Sequence, residues 1–237
     1  MWKILNIIQW IIIFFIMMIG SFLSISTLFI SNKISFWVSK HIWARLLCIV
    51  TGAKTKALNM DRIKNNNEYV IFCVNHQSLF DIIALYRVLS KPIYFIAKKE
   101  LKKMPFIGWY IYASGMIFID RSNRENAMKS MKKAGELIRS GKDVVTFPEG
   151  KRSTTGELNM FKRGSFIIAQ GSNIKIVPVA IKGSFRVSPP KSLNLRPGKI
   201  TINFGNAINP ADFPSFSPEK LANHTQEKVA ELLAEIQ

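Results

Sequence analysis

Acidic side chains are scarce in this chain of 237 residues: 15 Asp plus Glu stand against 33 Lys plus Arg, a formal charge of +18. That deficit points to polyanionic partners, whether nucleic acid, anionic headgroups or phosphorylated substrates. Cysteine is almost missing. Cys48 and Cys73 are the two present, which excludes a disulfide framework and gives no metal-ligand spacing. Histidine occurs three times, at His41, His76 and His224, far apart and without an HExxH pattern, so no metal site is predicted. Internal repeats and low-complexity linkers are also lacking. With 48% hydrophobic and 20% charged residues, a sizeable core is possible and wholesale disorder is excluded.

Charge of either sign is absent from Ile4 to Asn32, a run dense in Ile, Phe, Met and Leu. A spanning helix needs ~20 apolar residues, so this run is long enough to cross a bilayer. The cleavage site of a signal peptide is not evident. Asn6, Gln9, Gly20, Ser21, Ser24, Ser26 and Thr27 interrupt the run and leave two readings: one span, or a helix dipping into one leaflet. From Lys33 to Val50 a stripe of Ile34, Trp37, Val38, Ile42, Leu46 and Ile49 recurs at helical spacing, with Ser35, Ser39 and Lys40 off it. Trp37, Trp43, Lys33, Lys40 and Arg45 suit a helix in the headgroup zone; a core-packing helix is the competing reading. Residues 1–50 are thus expected to be a membrane anchor, and residues 51–237 a catalytic α/β domain. The basic remainder places that domain on the cytoplasmic side of the inner membrane.

What is present in concentrated form is Asn75-His76-Gln77-Ser78-Leu79-Phe80-Asp81, directly after the apolar run Tyr69–Val74. A strand that ends at a His and turns into a helix carrying an Asp can fold the carboxylate onto one imidazole nitrogen. The other nitrogen then faces substrate. Imidazoles titrate near ~6.5 in general, which matches proton abstraction at neutral pH. Asp81 would fix the tautomer and stabilise the imidazolium. Cys73 precedes His76 by three residues, but that offset puts the two side chains on opposite strand faces, and it reads as a small buried apolar residue. Ser78 is a weaker candidate nucleophile.

Further β-rich runs fall at Ile93–Ala97, Met116–Ile119, Asp143–Phe147, Lys175–Ile181 and Lys199–Phe204. Helical stretches are expected at Asp81–Leu89, Pro105–Ala113, Asn123–Arg139 and Phe161–Gln170, and a capped terminal helix from Ser217 to about Ile236. This alternation predicts an α/β fold with a mostly parallel or mixed sheet flanked by helices, and a site at the carboxyl ends of the strands. Three clusters follow predicted strand ends: Gly115–Arg121, Phe147–Ser153 and Phe161–Gly164. With all strands pointing one way, these turns gather into a basic bowl around His76, suited to phosphate.

The motif Asn-His-Gln-Ser-Leu-Phe-Asp resembles the first signature of the glycerolipid acyltransferases, and in particular of the 1-acyl-sn-glycerol-3-phosphate acyltransferases. The other blocks appear in the family's order: Ala97-Lys98-Lys99-Glu100-Leu101 with Pro105 and Gly108, Gly115–Arg121, Phe147-Pro148-Glu149-Gly150, and Val177–Ile181, with Phe161–Gly164 also fitting. The likeness covers about residues 50–205. It implies His76 as general base and Asp81 as its orienting partner. It implies that Arg121, Glu149 and Gly150 hold a glycerol-phosphate acceptor, with Lys98, Lys151, Arg152, Lys162 and Arg163 as further phosphate or co-substrate contacts. Val177-Pro178 would shape the pocket or acyl path. No bound cofactor is implied; acyl-CoA or acyl carrier protein would be the co-substrate, lysophosphatidic acid the acceptor, and an anionic membrane the support. Glycerol-3-phosphate, another lysophospholipid or an ornithine lipid remain alternative acceptors. A hydrolase is disfavoured because no GxSxG elbow is present. A basic membrane-tethered scaffold or a nucleic-acid binder would match the charge but leave His-x4-Asp unexplained, and no nucleic-acid-binding motif is found.

Overall fold

The computed structural model describes residues 2–64, 68–120 and 124–237. The chain opens with helix α1 (Trp2–Leu28). It continues through α2 (Asn32–Val38), a π-helical turn (Ser39–Trp43) and α3 (Ala44–Thr51), which run as one rod. Ser31 caps the rod by accepting from the Lys33 N–H, and Gly52, at φ 70°, ends it in the left-handed conformation. There follow β1 (Ala53–Leu58), α4 (Asp61–Lys64), β2 (Ile71–Val74), α5 (Phe80–Val88), β3 (Ile93–Lys98), a 3-10 turn (Lys99–Lys103), α6 (Ile107–Ala113) and β4 (Ile117–Ile119). The remainder is α7 (Arg124–Arg139), β5 (Asp143–Thr146), α8 (Gly164–Gly171), β6 (Ile176–Lys182), α9 (Ser184–Val187), β7 (Gly198–Phe204) and α10 (Pro218–Ala234).

The seven strands form one mixed sheet in the order β1-β7-β6-β2-β5-β3-β4. Strands β2 to β6 are mutually parallel, while β7 runs antiparallel to β6 and β1 follows β7 in parallel. Helices α7, α8 and α10 pack on one face, and α3, α5 and α9 on the other. Central strands covered on both faces read as unbroken apolar runs; Ile71–Val74 and Ile176–Ile181 are buried throughout. Pro178 sits in a central strand because its missing N–H faces the side where β7 has just ended. Only its carbonyl is used there, by the Gly205 N–H at 2.9 Å. Strand β1 escapes the hydrophobic pattern: Ala53-Lys54-Thr55-Lys56-Ala57-Leu58 is a lysine-bearing edge strand.

The amino-terminal helices are built inside out. On α1 the buried positions include Asn6, Gln9, Ser21 and Ser24, whereas Ile4, Ile7, Ile8, Ile11, Phe14, Phe15 and Phe22 stand exposed. The buried polar groups bond into the rest of the chain: Asn6 Nδ2 to Leu195 O at 3.0 Å, Gln9 Nε2 to Val50 O at 2.8 Å, and Ser24 Oγ with Ser39 Oγ at 3.0 Å. The second rod is inside out only in part, burying Phe36, Val38 and Leu47 beside its serines. Its expected apolar stripe contributes Ile34, Trp37, Leu46 and Ile49 to the exposed surface, and the off-stripe Ser35 and Ser39 are buried. Two expected headgroup residues instead turn inward. The Trp43 indole packs on Gly20 and donates to Met17 Sδ at 3.0 Å, and Lys40 Nζ donates to Leu89 O at 2.6 Å. Neither belongs to the stripe, and both fall on the flank of the rod that faces the rest of the chain.

The seat of α1 on this rod is tight at Gly20, where an added Cβ would lie 2.6 Å from Trp43 Cδ1. Gly20→Val is therefore expected to destabilise the protein by about 1–3 kcal/mol through overpacking. A thermal melt in detergent micelles measures it, and an unaltered midpoint would show that the two rods do not meet this closely.

Candidate active site

The site is assembled where β2 hands over to α5. The Asn75 side chain imitates a strand peptide: Nδ2 donates to Ile181 O at 2.9 Å, and Oδ1 accepts the Ile181 N–H at 2.7 Å. That pair of bonds carries the end of β2 onto β6 and fixes where the next residue emerges. Asp81, fully buried in the first turn of α5, then reaches back. Its Oδ2 accepts from His76 Nδ1 at 2.8 Å, from the Gln77 N–H at 2.7 Å and from the Ser78 N–H at 2.8 Å. A carboxylate oxygen already accepting two backbone N–H bonds is a pure acceptor, so the imidazole proton sits on Nδ1 and Nε2 keeps its lone pair. Among the described residues no group bonds Nε2. Phe147 stacks on the ring at 3.9 Å between centroids and 18° between planes, which fixes the imidazole's tilt.

The peptide of His76 is gripped by the loop after β5. Glu149 Oε1 accepts the His76 N–H at 2.6 Å, and the Ser153 N–H donates to the His76 carbonyl at 2.7 Å. Glu149 Oε2 is taken by Asn159, through its backbone N–H at 3.1 Å and its Nδ2 at 2.6 Å. Glu149 is only 2% exposed. Burial raises its carboxyl above the usual range, while the bonds from His76 and Asn159 pull in the other direction. Gln77 Nε2 ties the same loop down by donating to Gly156 O at 2.6 Å. Gly150, at φ 75°, makes the tight turn that lets the loop fold back, and the Gly150 N–H bonds Phe147 O at 3.0 Å.

The residues singled out from the sequence fall into three groups. His76 and Asp81 meet as expected. Glu149 and Gly150 reach the site, but the Glu149 carboxylate spends both oxygens on the protein, on His76 and Asn159, rather than on open space beside Nε2. Lys151, Lys162 and Arg163 are exposed and Arg152 is half-buried on the same loop and at the start of α8. Among the described residues none of these four cations is paired with a carboxylate. Lys98, at the end of β3, instead makes an exposed ion pair with Glu100 at 3.3 Å. Arg121 lies outside the described residues. Val177 is buried in β6 and lines a cavity of about 80 Å³ with Phe72, Leu89 and Ile93.

Two weaker nucleophile candidates are accounted for. Ser78 Oγ is buried, donates to Ser188 O at 2.7 Å and accepts the Phe80 N–H at 3.1 Å, so it caps α5. Cys73 is fully buried in β2, and burial pushes its thiol far up. The residues that sequence reasoning passed over are Asn159, which belongs to no block and sits ten positions beyond Glu149, and Phe147, whose place before Pro148-Glu149-Gly150 gives no hint of stacking.

Glu149→Gln keeps the size of the side chain but turns one charge-assisted acceptor into a donor facing an N–H, a loss of about 1.5–3 kcal/mol. It is expected to lower kcat about 10–100-fold while leaving the acceptor KM within about twofold. Asn159→Ala is expected to act in the same direction and more weakly. Steady-state kinetics separate the cases: a rise in KM at unchanged kcat would return Glu149 to direct acceptor binding.

Residues 54–182 match the acyltransferase family profile. The chain is 30% identical over 213 residues to the 1-acyl-sn-glycerol-3-phosphate acyltransferase of Saccharomyces cerevisiae, covering 89% of this chain and 70% of the yeast protein. It is 35% identical over 146 residues to the protein of the same name from Helicobacter pylori, covering 61% of each. In fold it is similar to the crystal structure of the 1-acyl-sn-glycerophosphate acyltransferase PlsC from Thermotoga maritima, with a TM-score of 0.83 at 24% identity over 100% of this chain and 98% of that one. The match across the central half of the sequence, around a His76 held by the buried Asp81, places the chain in the acyltransferase family, and it is an acyltransferase enzyme.

Proposed function

We propose that this acyltransferase moves a fatty acyl group from a thioester to the sn-2 hydroxyl of 1-acyl-sn-glycerol-3-phosphate, giving phosphatidic acid. The observation that carries the proposal is the His76–Asp81 pair, which leaves Nε2 as an acceptor on a turn bonded, through the Ser153 N–H and the His76 carbonyl, to the loop that bears Lys151 and Arg152. Relatives named for the same reaction support the choice of acceptor. In the reaction, the acceptor hydroxyl oxygen attacks the thioester carbonyl as its proton passes to His76 Nε2. The tetrahedral intermediate collapses with cleavage of the C–S bond, and the imidazolium returns the proton to the departing thiolate. Asp81 holds the ring and offsets the imidazolium charge. A positioned base of this kind contributes ~10²–10⁴-fold, and holding two substrates together adds more.

Arg152, Lys151, Lys162 and Arg163, with Arg121 by resemblance, are the cations assigned to the acceptor phosphate and to an anionic donor. Acyl-CoA and acyl carrier protein both present the required thioester, and no cofactor enters the chemistry. The apolar outer face of α1, its mean hydropathy 2.4 from Ile4 to Leu28, supports membrane association. Because α1 bonds to the loop before β7 through Asn6 and Trp10 and to the second rod through Gln9 and Ser24, over about 27 Å of its length, the helix lies against the rest of the chain. That supports insertion into one leaflet rather than a free-standing span. The domain is assigned to the cytoplasmic side of the inner membrane.

His76→Ala is expected to abolish acyl transfer to labelled lysophosphatidic acid with an unchanged thermal midpoint, and Asp81→Asn to lower kcat by ~10²–10⁴-fold together with a lower midpoint, since Asp81 Oδ2 also accepts two backbone N–H bonds. Thin-layer chromatography of products from purified protein, run with acyl-CoA and with acyl carrier protein, reads both. Retained turnover in His76→Ala removes the base from its role. Arg121→Ala and Arg152→Ala are each expected to raise the acceptor KM by about tenfold, the worth of a charged hydrogen bond; an unmoved KM in both would reject the phosphate assignment.

A further inference from the structure

The segment after β3 carries a second exposed aromatic and basic face beside α1. We propose that this face, residues 102–112, seats on anionic phospholipid headgroups and fixes how the domain is rolled over the bilayer. The proposal rests on the membrane reading of α1 given above and extends it to an element that the reaction does not use.

Its composition is that of an interfacial surface. Trp109 and Tyr112, three positions apart on one flank of α6, are 57% and 67% exposed, and Met104 just before the helix is 43% exposed. Lys102 Nζ lies 5.2 Å from the Tyr112 ring centroid. The two lysines before them in the chain are engaged: Lys98 with Glu100 at 3.3 Å and Lys99 with Asp120 at 2.8 Å. Lys102 and Lys103 are exposed and meet no carboxylate among the described residues. Amphipathic rings beside free cations suit the headgroup zone, where the ring bodies meet acyl chains and the ammonium groups meet phosphates.

The face is also rigid. On the opposite flank of α6, Ile111 is buried and the Tyr110 hydroxyl meets Tyr86 OH at 3.3 Å and Ser39 Oγ at 3.2 Å. Gly108 sits so close to the 3-10 turn that an added Cβ would lie 2.4 Å from Leu101 O. Phe106 is held at φ 63°, ψ −64°, a conformation that a side-chain-bearing residue keeps only where its surroundings over-determine it. What holds it is aromatic contact on both sides: Phe106 lies 5.6 Å from Phe14 and 5.3 Å from Trp109 between ring centroids. Phe14 belongs to the exposed face of α1. The rings thus join the outer surface of α1 to that of α6 without a break.

Continuity with α1 and the unpaired lysines identify the occupant as an anionic bilayer. A second copy of the chain related by a two-fold axis would set the same lysines against one another. The physical use follows. A single rod in one leaflet leaves the domain free to roll about the rod's axis, and a second contact beside it removes that freedom. The seated segment begins directly at the carboxyl end of β3, the same end of the sheet as His76, so the roll it selects turns the site toward the lipid.

The test uses full-length protein with vesicles of phosphatidylcholine alone or mixed with phosphatidylglycerol, scored by co-sedimentation. Lys102→Gln with Lys103→Gln is expected to weaken binding to the mixed vesicles about 25-fold, near fivefold per cation. Binding to phosphatidylcholine should be unchanged, which also shows that the variant is folded, and Lys102→Arg with Lys103→Arg should restore it. Brominated acyl chains are expected to quench the tryptophan emission of the wild type more than that of Trp109→Phe. Binding of the glutamine variant to the mixed vesicles as tight as that of the wild type, or equal quenching with and without Trp109, overturns the proposal. A dimer that these variants dissolve, with lipid binding intact, would assign the face to a second copy and overturn it too. Acyl transfer to detergent-dispersed lysophosphatidic acid is read separately: its absence in the wild type would sink the acceptor assignment while leaving the vesicle results to stand.

Discussion

Two buried carboxylates converge on one turn, residues 76–78, and the orientation of His76 depends on that convergence. Asp81 takes the His76 ring and the next two backbone N–H groups; Glu149 takes the His76 N–H itself and passes its other oxygen to Asn159. Burying an ionised carboxylate costs several kcal/mol unless its lone pairs are satisfied. Each acid receives three N–H donors, at about 1.5–3 kcal/mol for a hydrogen bond to a charged group, but all three on Asp81 fall on Oδ2, and its buried Oδ1 has no partner among the described residues. The donors to Asp81, and the His76 N–H that Glu149 accepts, point inward only while residues 76–78 keep their present turn. The acids therefore hold the turn, and the turn keeps the acids soluble in the protein interior. His76 inherits its orientation from that mutual dependence, with Phe147 stacked on the ring to fix its tilt.

A second constraint acts from outside. Helices α1 and α2–α3 invert the usual arrangement, with Asn6, Gln9, Ser24, Ser35 and Ser39 against protein and Ile, Phe and Trp outward. In water such a pair exposes apolar area and buries hydroxyls and amides that must all find partners. In lipid the same outward residues are solvated, and the inward bonds, made away from water, secure the rods to the domain. The anchor therefore does not hang from a linker. Gln9 bonds to the end of α3, and Asn6 and Trp10 bond to the loop preceding β7, through Leu195 O and Leu193 O. That loop starts at Ser188, whose carbonyl receives Ser78 Oγ from the catalytic turn. A short path of bonded backbone runs from the apolar-faced helix α1 to the residue next but one to His76, and on the membrane reading proposed above it sets the height of the site relative to the surface.

How much of this was legible in the sequence depended on separation along the chain. His76 and Asp81 are five residues apart, so a strand-to-helix turn alone brings them together, and their pairing was readable. The parallel strands β2 to β6 were readable because burial on both faces demands continuous apolar runs. Strand β1 was not, since Lys54 and Lys56 give an edge strand the look of a loop. Glu149 was visible as a site residue but its partners were not: the His76 N–H is 73 positions away, and nothing local says that a carboxylate will turn toward a backbone donor rather than a substrate. Asn159 offered no signal at all. The inward turn of Lys40 and Trp43 depends on their distant partners Leu89 O, Gly20 and Met17 Sδ, which nothing local in the sequence announces.

These placements also constrain the order of bond making. An acyl-enzyme requires a nucleophile within reach of the base. Among the described residues near His76, Ser78 Oγ is committed to Ser188 O and the cap of α5, and the Cys73 thiol is enclosed in the sheet with its ionisation suppressed by burial. Neither can accept an acyl group without dismantling the turn or the strand that positions the base. The remaining acceptor is the substrate hydroxyl, and direct transfer from a thioester needs no covalent relay because a thiolate leaves readily. Direct transfer demands that donor and acceptor be present together, one arriving from the aqueous phase and the other from the leaflet. On the reading proposed above, a domain held against the leaflet by α1 meets that demand by geometry, and the effective concentration so gained adds to what the imidazole supplies.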